Sequence, residues 1–235
     1  MPAKVTFCVR GATSPILSNI YLHEVLDEWF TQQVVPRLVG GAVLIRYGDD
    51  AVIIFAQERD AQRVLDVLPK RLAKYGLTLH PEKTRLIDFR RPDTRTEGSS
   101  SSGDARSEPG SFDLLGFTHY WAKSRNGYWV VKQKTAKDRF QRALKRVADW
   151  CRSHLHEPVR EQWVALTRKL LGHFGYFGLT GNFRALRHFC YRVTEVWRKW
   201  LSRRSQRARI SWEGMVRLLE RYPLPQPRIR TSSVM

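Results

Sequence analysis

Asp49 and Asp50 stand side by side in Gly48-Asp49-Asp50, between two runs rich in Val and Ile, Ala42 to Tyr47 and Ala51 to Ala56. That pattern predicts a β-hairpin with acids at its tip. Two carboxylates on one rigid turn repel each other unless something positive sits there. In phosphoryl transfer, carboxylates hold two Mg2+ ions about 3.5 to 4 Å apart, one activating the attacking oxygen and one stabilising the leaving group. Gly and Asp are also ordinary turn formers, so the three residues alone fit a solvated turn equally well.

The segments around the hairpin decide which elements could position it. Ser14-Pro15 followed by Leu17, Ile20, Leu22, Val25, Leu26, Trp29 and Phe30 predicts an N-capped amphipathic helix ending before Pro36. Ala61, Leu65, Leu68, Leu72 and Tyr75 follow a helical period from Asp60, with Gly76 as the stop and Pro69 as a break or kink. Short strands are expected at Leu77 to Leu79 and Arg85 to Phe89. Residues 93–111 contain almost nothing that could pack and read as a flexible linker. A second β-like stretch, Leu114 to Val131, carries Phe117, Tyr120, Trp121, Tyr128 and Trp129.

Beyond it the period becomes helical. Thr135 with Asp138 resembles a capping box opening a helix with Phe140, Leu144, Val147, Cys151 and Leu155 on its core face. Two more helices fit Arg160 to Phe177 and Phe183 to Arg203, and a last one Trp212 to Arg221, before the proline-rich Pro223 to Pro227. Short connections make these a small bundle. Most of their regularly spaced Trp and Phe residues belong to its core. Gly172, Gly175 and Gly178 recur every third residue and suit close helix packing or an approaching RNA backbone.

Charge separates the two regions. The chain has 41 Lys and Arg against 22 Asp and Glu, a net +19, and residues 112–235 hold 26 of the basic and only 8 of the acidic side chains. A surface so basic meets polyanions, and attraction to phosphate comes largely from released counterions. No apolar run approaches a membrane span, so nucleic acid is the expected partner and a membrane is not. Three cysteines, Cys8, Cys151 and Cys190, form neither a disulfide framework nor a zinc motif, which suits a reducing, cytoplasmic setting.

The ordered segments SPILSNIYLHEVLDEWF, RYGDDAVIIF, GLTLHPEKTRLIDF, FDLLGFTHY, GHFGYFGLTGNFRALRHF and RRSQRARISWEGM together resemble bacterial group II intron-encoded reverse transcriptases, which are also maturases. The resemblance runs from about Gly11 to the C-terminus apart from the linker. It implies an α+β fold: a partial reverse-transcriptase palm over 1–92, a linker over 93–111, a primer-grip-like β segment over 112–131, and a helical thumb and maturase domain over 132–235. Asp49 and Asp50 would be Mg2+ ligands of the Tyr-x-Asp-Asp motif. Lys83, in Pro81-Glu82-Lys83-Thr84, would lie near the phosphates of an incoming nucleotide, although alone it reads as a solvated lysine. Gly116 and Phe117 would grip the primer; alone they read as a closely packed strand.

The helical domain would bind group II intron RNA and promote splicing. Arg139, Arg142, Lys145 and Arg146 on the first helix, and Arg203, Arg204, Arg207 and Arg209 near the end, are the candidate RNA contacts. Tyr120, Trp121 and Tyr128 are candidates for stacking on unpaired bases. The family draws a further carboxylate from a strand well upstream of the Ser-Pro helix. Here thirteen residues precede Ser14, none of them Asp or Glu. Only Gly11 fits the Gln-Gly-Gly-like stretch expected before Ser14, and Met1 to Val9 look foreign, as a truncation or frameshift would leave them.

A truncated protein that binds intron RNA without polymerising is therefore expected, the parental activity being RNA-directed DNA polymerisation with a DNA primer or target. The alternatives are a split polymerase completed by an upstream reverse-transcriptase fragment, and a nonspecific basic binder or nonfunctional remnant.

Overall fold

The computed structural model describes residues 3–8, 15–92, 110–205 and 209–230. The expected linker lies almost wholly outside the described residues, as do Gly11, Ser14 and Arg207. The architecture is α+β. The chain divides into one unit of Met1–Leu115 with His119–Val131, and another of Gly116–Thr118 with Lys132–Met235.

The first unit is built on a four-stranded antiparallel sheet in the order β2-β3-β1-β4, from β1 (Ala3–Cys8), β2 (Ala42–Tyr47), β3 (Asp50–Phe55) and β4 (Arg85–Asp88). Alternation along β3 turns Ala51, Ile53 and Phe55 into the core, where they pack with Leu68 and Leu72 of α2 (Glu58–Ala73). β2 forms one edge of the sheet, and Val43, Ile45 and Tyr47 on its outer face are exposed. α2 runs through Pro69, giving up one backbone hydrogen bond. Its end is a Schellman motif: Gly76 has φ 68°, Leu77 N–H bonds to the Leu72 carbonyl at 3.0 Å, and Gly76 N–H to that of Ala73 at 3.1 Å.

The helix after Pro15 departs from the simple amphipathic reading. α1 (Pro15–Leu22) continues into wide turns with i→i+5 bonding over His23–Glu28 and Phe30–Val34, then a tight turn Val35–Arg37 that includes Pro36. Leu22, Val25, Leu26, Trp29 and Phe30 are buried as the spacing requires, but Leu17 and Ile20 are each 59% exposed. Widened turns change the angular step per residue, so the buried stripe does not continue back along α1. Leu77 to Leu79 forms only an isolated bridge rather than a strand.

β5 (Phe112–Leu114), β6 (Phe117–Lys123) and β7 (Trp129–Thr135) make a three-stranded sheet in sequential order. Leu115 and Gly116 join β5 to β6 with φ of 51° and 80°. Both central residues at positive φ define a type I′ turn, a conformation leucine rarely adopts.

The second unit packs α3 (Lys137–Ser153), α4 (Val159–Phe177), α5 (Phe183–Leu201) and α6 (Trp212–Arg221) around Leu166, Leu170, Phe174, Leu186, Phe189, Val193, Trp197 and Met215. Thr135 does not cap α3. It closes β7, and Ala136 is the N-cap residue, without a side-chain bond. Asn182 outcompetes the capping box: its side chain accepts from Thr135 N–H at 2.9 Å and donates to the Thr135 hydroxyl and the Phe177 carbonyl, each at 2.8 Å. Asp138 turns instead to Arg139 N–H, at 2.6 Å, and to the Arg142 guanidinium.

His173 lies in this core, stacked on Phe189 at 3.9 Å between centroids and tilted against Phe177 at 4.6 Å. Burial pushes its imidazole down from 6.5 to about 4. The unfolded chain therefore binds a proton between these values that the folded chain does not. Its contribution is complete above about pH 6.5 and lost as pH falls toward 4. We expect the His173 share of this loss to reach about 2 kcal/mol, allowing for partial solvent access. Thermal melts at pH 4.5 and 7.5 should show a smaller difference for His173→Phe than for the unmodified chain; equal differences would refute the assignment.

Candidate functional site

Tyr47 and Asp50 face each other as the last ladder pair of β2 and β3, leaving Gly48-Asp49 as a two-residue turn. Of these two only Gly48 has a positive φ, 61°, as the first central position of a type II′ turn requires. A methyl group there would find open space, so a larger residue would suffer from backbone conformation alone. Asp49 is exposed at the tip. Asp50 is half-buried at the start of β3, and its backbone registers with Cys8 on the other side.

The turn is braced from behind. Inward alternation along β2 puts Arg46 on the core side, with its side chain only 12% exposed. A buried guanidinium needs partners, and Arg46 has several: Nε and Nη2 grip Asp27 at 2.8 and 2.7 Å, while Nη1 donates to Asn19 Oδ1 at 2.8 Å and the Gly48 carbonyl at 3.0 Å. One side chain thus ties the acidic turn to α1 and to the wide-turn helix. In the sequence this brace is marked only by a lone Arg at an inward position of an alternating strand.

Lys83 is exposed on the turn His80 to Thr84, where Lys83 and Thr84 N–H bond to the His80 carbonyl at 3.1 and 3.0 Å. β4 begins two residues later and pairs Arg85 with Thr6 of β1, while Cys8 pairs with Asp50. This register brings the Lys83 turn to the same end of the sheet as Asp49 and Asp50. One strand lies between, a separation of roughly 10 Å at ordinary strand spacing.

Among the described residues no third carboxylate joins Asp49 and Asp50 to complete a two-metal site. Two carboxylates stand at the turn, but β1, the strand beside Asp50, contains no Asp or Glu. Among the described residues no three His, Cys, Asp or Glu side chains are grouped to hold a metal ion.

Gly116 and Phe117 belong to the second unit. Phe117 is buried against Tyr176 and Phe177 of α4, at 5.8 and 5.2 Å between centroids. The Gly116 carbonyl accepts from Ala136 N–H at 2.9 Å. Arg139, Arg142, Lys145 and Arg146 are all exposed on α3, Arg142 being paired with Asp138. Arg203 and Arg209 are exposed, but Arg204 turns inward and donates to the Glu157 carbonyl at 2.6 Å, with burial lowering its affinity for a proton. Tyr128 is exposed at a strand turn, whereas Trp121 donates to the Phe89 carbonyl at 3.2 Å within the first unit.

Residues 11–119, the stretch holding the acidic turn, its brace and the Lys83 turn, match the reverse transcriptase (RNA-dependent DNA polymerase) family. Among solved structures the chain is similar to telomerase from Candida albicans, determined in complex with a TWJ fragment of telomeric RNA. That similarity has 16% identity and a TM-score of 0.29, covering 87% of this chain and 30% of the other, so the chain spans under a third of its length. Among curated proteins no sequence matches. No described helix is long and apolar enough to cross a membrane.

Replacing Arg46 by Met should strand the Asp27 charge and lower stability by about 3 kcal/mol, measured by urea unfolding. The double variant Arg46→Met with Asp27→Leu should recover a substantial part of that loss; simple additivity of the two losses would disprove the brace. Leu115→Gly, relieving the positive φ, should raise stability by about 1 kcal/mol in the same assay.

Proposed function

We propose that this chain is an RNA-binding protein of the group II intron reverse-transcriptase and maturase kind, which holds intron RNA with its basic helical unit and assists splicing. The observation that carries this reading is the joining of a reverse-transcriptase-type segment over residues 11–119 to a region containing most of the chain's Lys and Arg. Exposed Arg139, Arg142, Lys145 and Arg146 along α3 suit phosphate contacts without base readout, the mode by which structured RNA is held through shape and backbone.

Asp49 and Asp50 are the inherited metal-ligand pair in this reading, with Lys83 toward nucleotide phosphates and Gly116 and Phe117 toward a primer. A two-metal site needs a further carboxylate beside this pair for metal-dependent polymerisation. A second reading, a split polymerase, is favoured by the retained brace on the acidic turn. There a separate polypeptide supplies a carboxylate beside Asp50, and a DNA primer or target becomes a further partner.

The purified chain should bind a group II intron RNA more tightly than an unrelated RNA of equal length at 0.2 M salt, and accelerate splicing of that intron in vitro. Equal affinity for both RNAs, with no effect on splicing, would leave only a nonspecific basic binder. In primer extension with Mg2+, no product is expected from the chain alone. Product that disappears with Asp49→Asn would instead establish a complete polymerase site.

A further inference from the structure

A cleft of about 870 Å3 opens beside the C-terminal end of α5. Among the described residues four cationic side chains line it, Arg198, Lys199, Arg203 and Arg209, together with Ser202 and Ser211, and no carboxylate does. Some other basic side chains of the helical unit have carboxylate partners, as Arg142 with Asp138 and Arg192 with Glu195. Here like charges converge on a concavity, an arrangement that an anion would relieve.

The cleft is also held in shape. Arg198 donates from Nη1 to the Ile210 carbonyl at 3.0 Å and lies over the Trp212 ring at 4.4 Å, while its buried Nε has no hydrogen-bond partner. Arg203 rests on Trp200 at 5.2 Å. Ser202 Oγ accepts from Ile210 N–H and Ser211 Oγ from Gly214 N–H, each at 3.1 Å. With a lone pair of each serine engaged, its hydroxyl hydrogen remains available as a donor. Charged forks, ammonium and hydroxyl donors around one opening match tetrahedral oxyanions, and the volume exceeds what a single phosphate fills.

We propose that this cleft is a phosphate-binding site that takes backbone phosphates of an RNA strand, giving the otherwise diffuse basic surface one defined anchoring point. The RNA part of this statement rests on the function proposed above; the phosphate chemistry does not.

The test compares the intact chain with Arg203→Gln/Arg209→Gln, both exposed positions, and with Lys137→Gln/Arg152→Gln, exposed on α3 outside the proposed RNA contacts, as a charge-matched control. Binding of a 12-nucleotide uridine RNA is followed by fluorescence anisotropy across a salt series, and pyrophosphate binding by calorimetry, after melting curves confirm folding. The cleft variant should lose at least about tenfold in RNA affinity, with the salt slope reduced by roughly 1.4, about 0.7 for each lost single-strand phosphate contact. It should also lose pyrophosphate binding, while the α3 control retains both more fully. Equal losses from the two variants would mean a diffuse field and overturn the proposal. RNA binding unaffected by the cleft substitutions would overturn it while leaving the proposed function intact. Pyrophosphate binding that depends on Arg203 and Arg209, without any RNA binding, would support the site and reject the RNA reading; binding of neither would reject both.

Discussion

The bidentate pair between Arg46 and Asp27 is the constraint on which the acidic turn depends. It removes a guanidinium and a carboxylate largely from water, and the desolvation is offset only because geometry and further hydrogen bonds are good. Its value lies in specificity. The same guanidinium that holds Asp27 also holds Asn19 and the Gly48 carbonyl, so the turn cannot swing without breaking contacts to α1. A hairpin tip at a sheet edge would otherwise be among the most mobile parts of a fold. Here the exposed Asp49 and half-buried Asp50 sit on backbone fixed from the core side.

Much of this was legible in the sequence because the periods are strong. The β2–β3 hairpin, α4 and α6 follow directly from alternation and helical spacing, and Gly76 ends α2 in the conformation that glycine allows. What escaped was tertiary. Thr135 and Asp138 have capping-box spacing, yet Asn182, 47 residues beyond Thr135, claims Thr135. Leu17 and Ile20 carry the right period for burial, but the helix widens beyond Leu22 and leaves them outside. Arg204 belongs to a basic cluster by sequence and to the Glu157 carbonyl by structure. In each case local spacing was outweighed by a distant partner or by a change in helical geometry that spacing does not encode.

The helical unit shows how a strongly basic region folds despite its charge. Its core positions are nearly all apolar, most Lys and Arg lie on outer faces, and several rest on aromatic rings: Lys169 on Trp150, Lys199 and Arg203 on Trp200, Arg198 on Trp212. Such contacts bury aliphatic stems and keep the charged ends toward solvent. They also reduce the side-chain freedom remaining to be lost when a phosphate arrives.

The outward face of β2 has a practical consequence. Among the described residues its strand edge has no neighbour on one side, and Val43, Ile45 and Tyr47 stand exposed beside it, a combination that favours strand-to-strand self-association. Concentrated salt, the usual means of stripping bound nucleic acid from so basic a chain, screens charge repulsion between copies and, with strongly hydrated anions, strengthens apolar association. The two surfaces therefore ask for opposite solvents. A Lys at position 43 or 45 would blunt the edge, letting the chain be handled at high ionic strength.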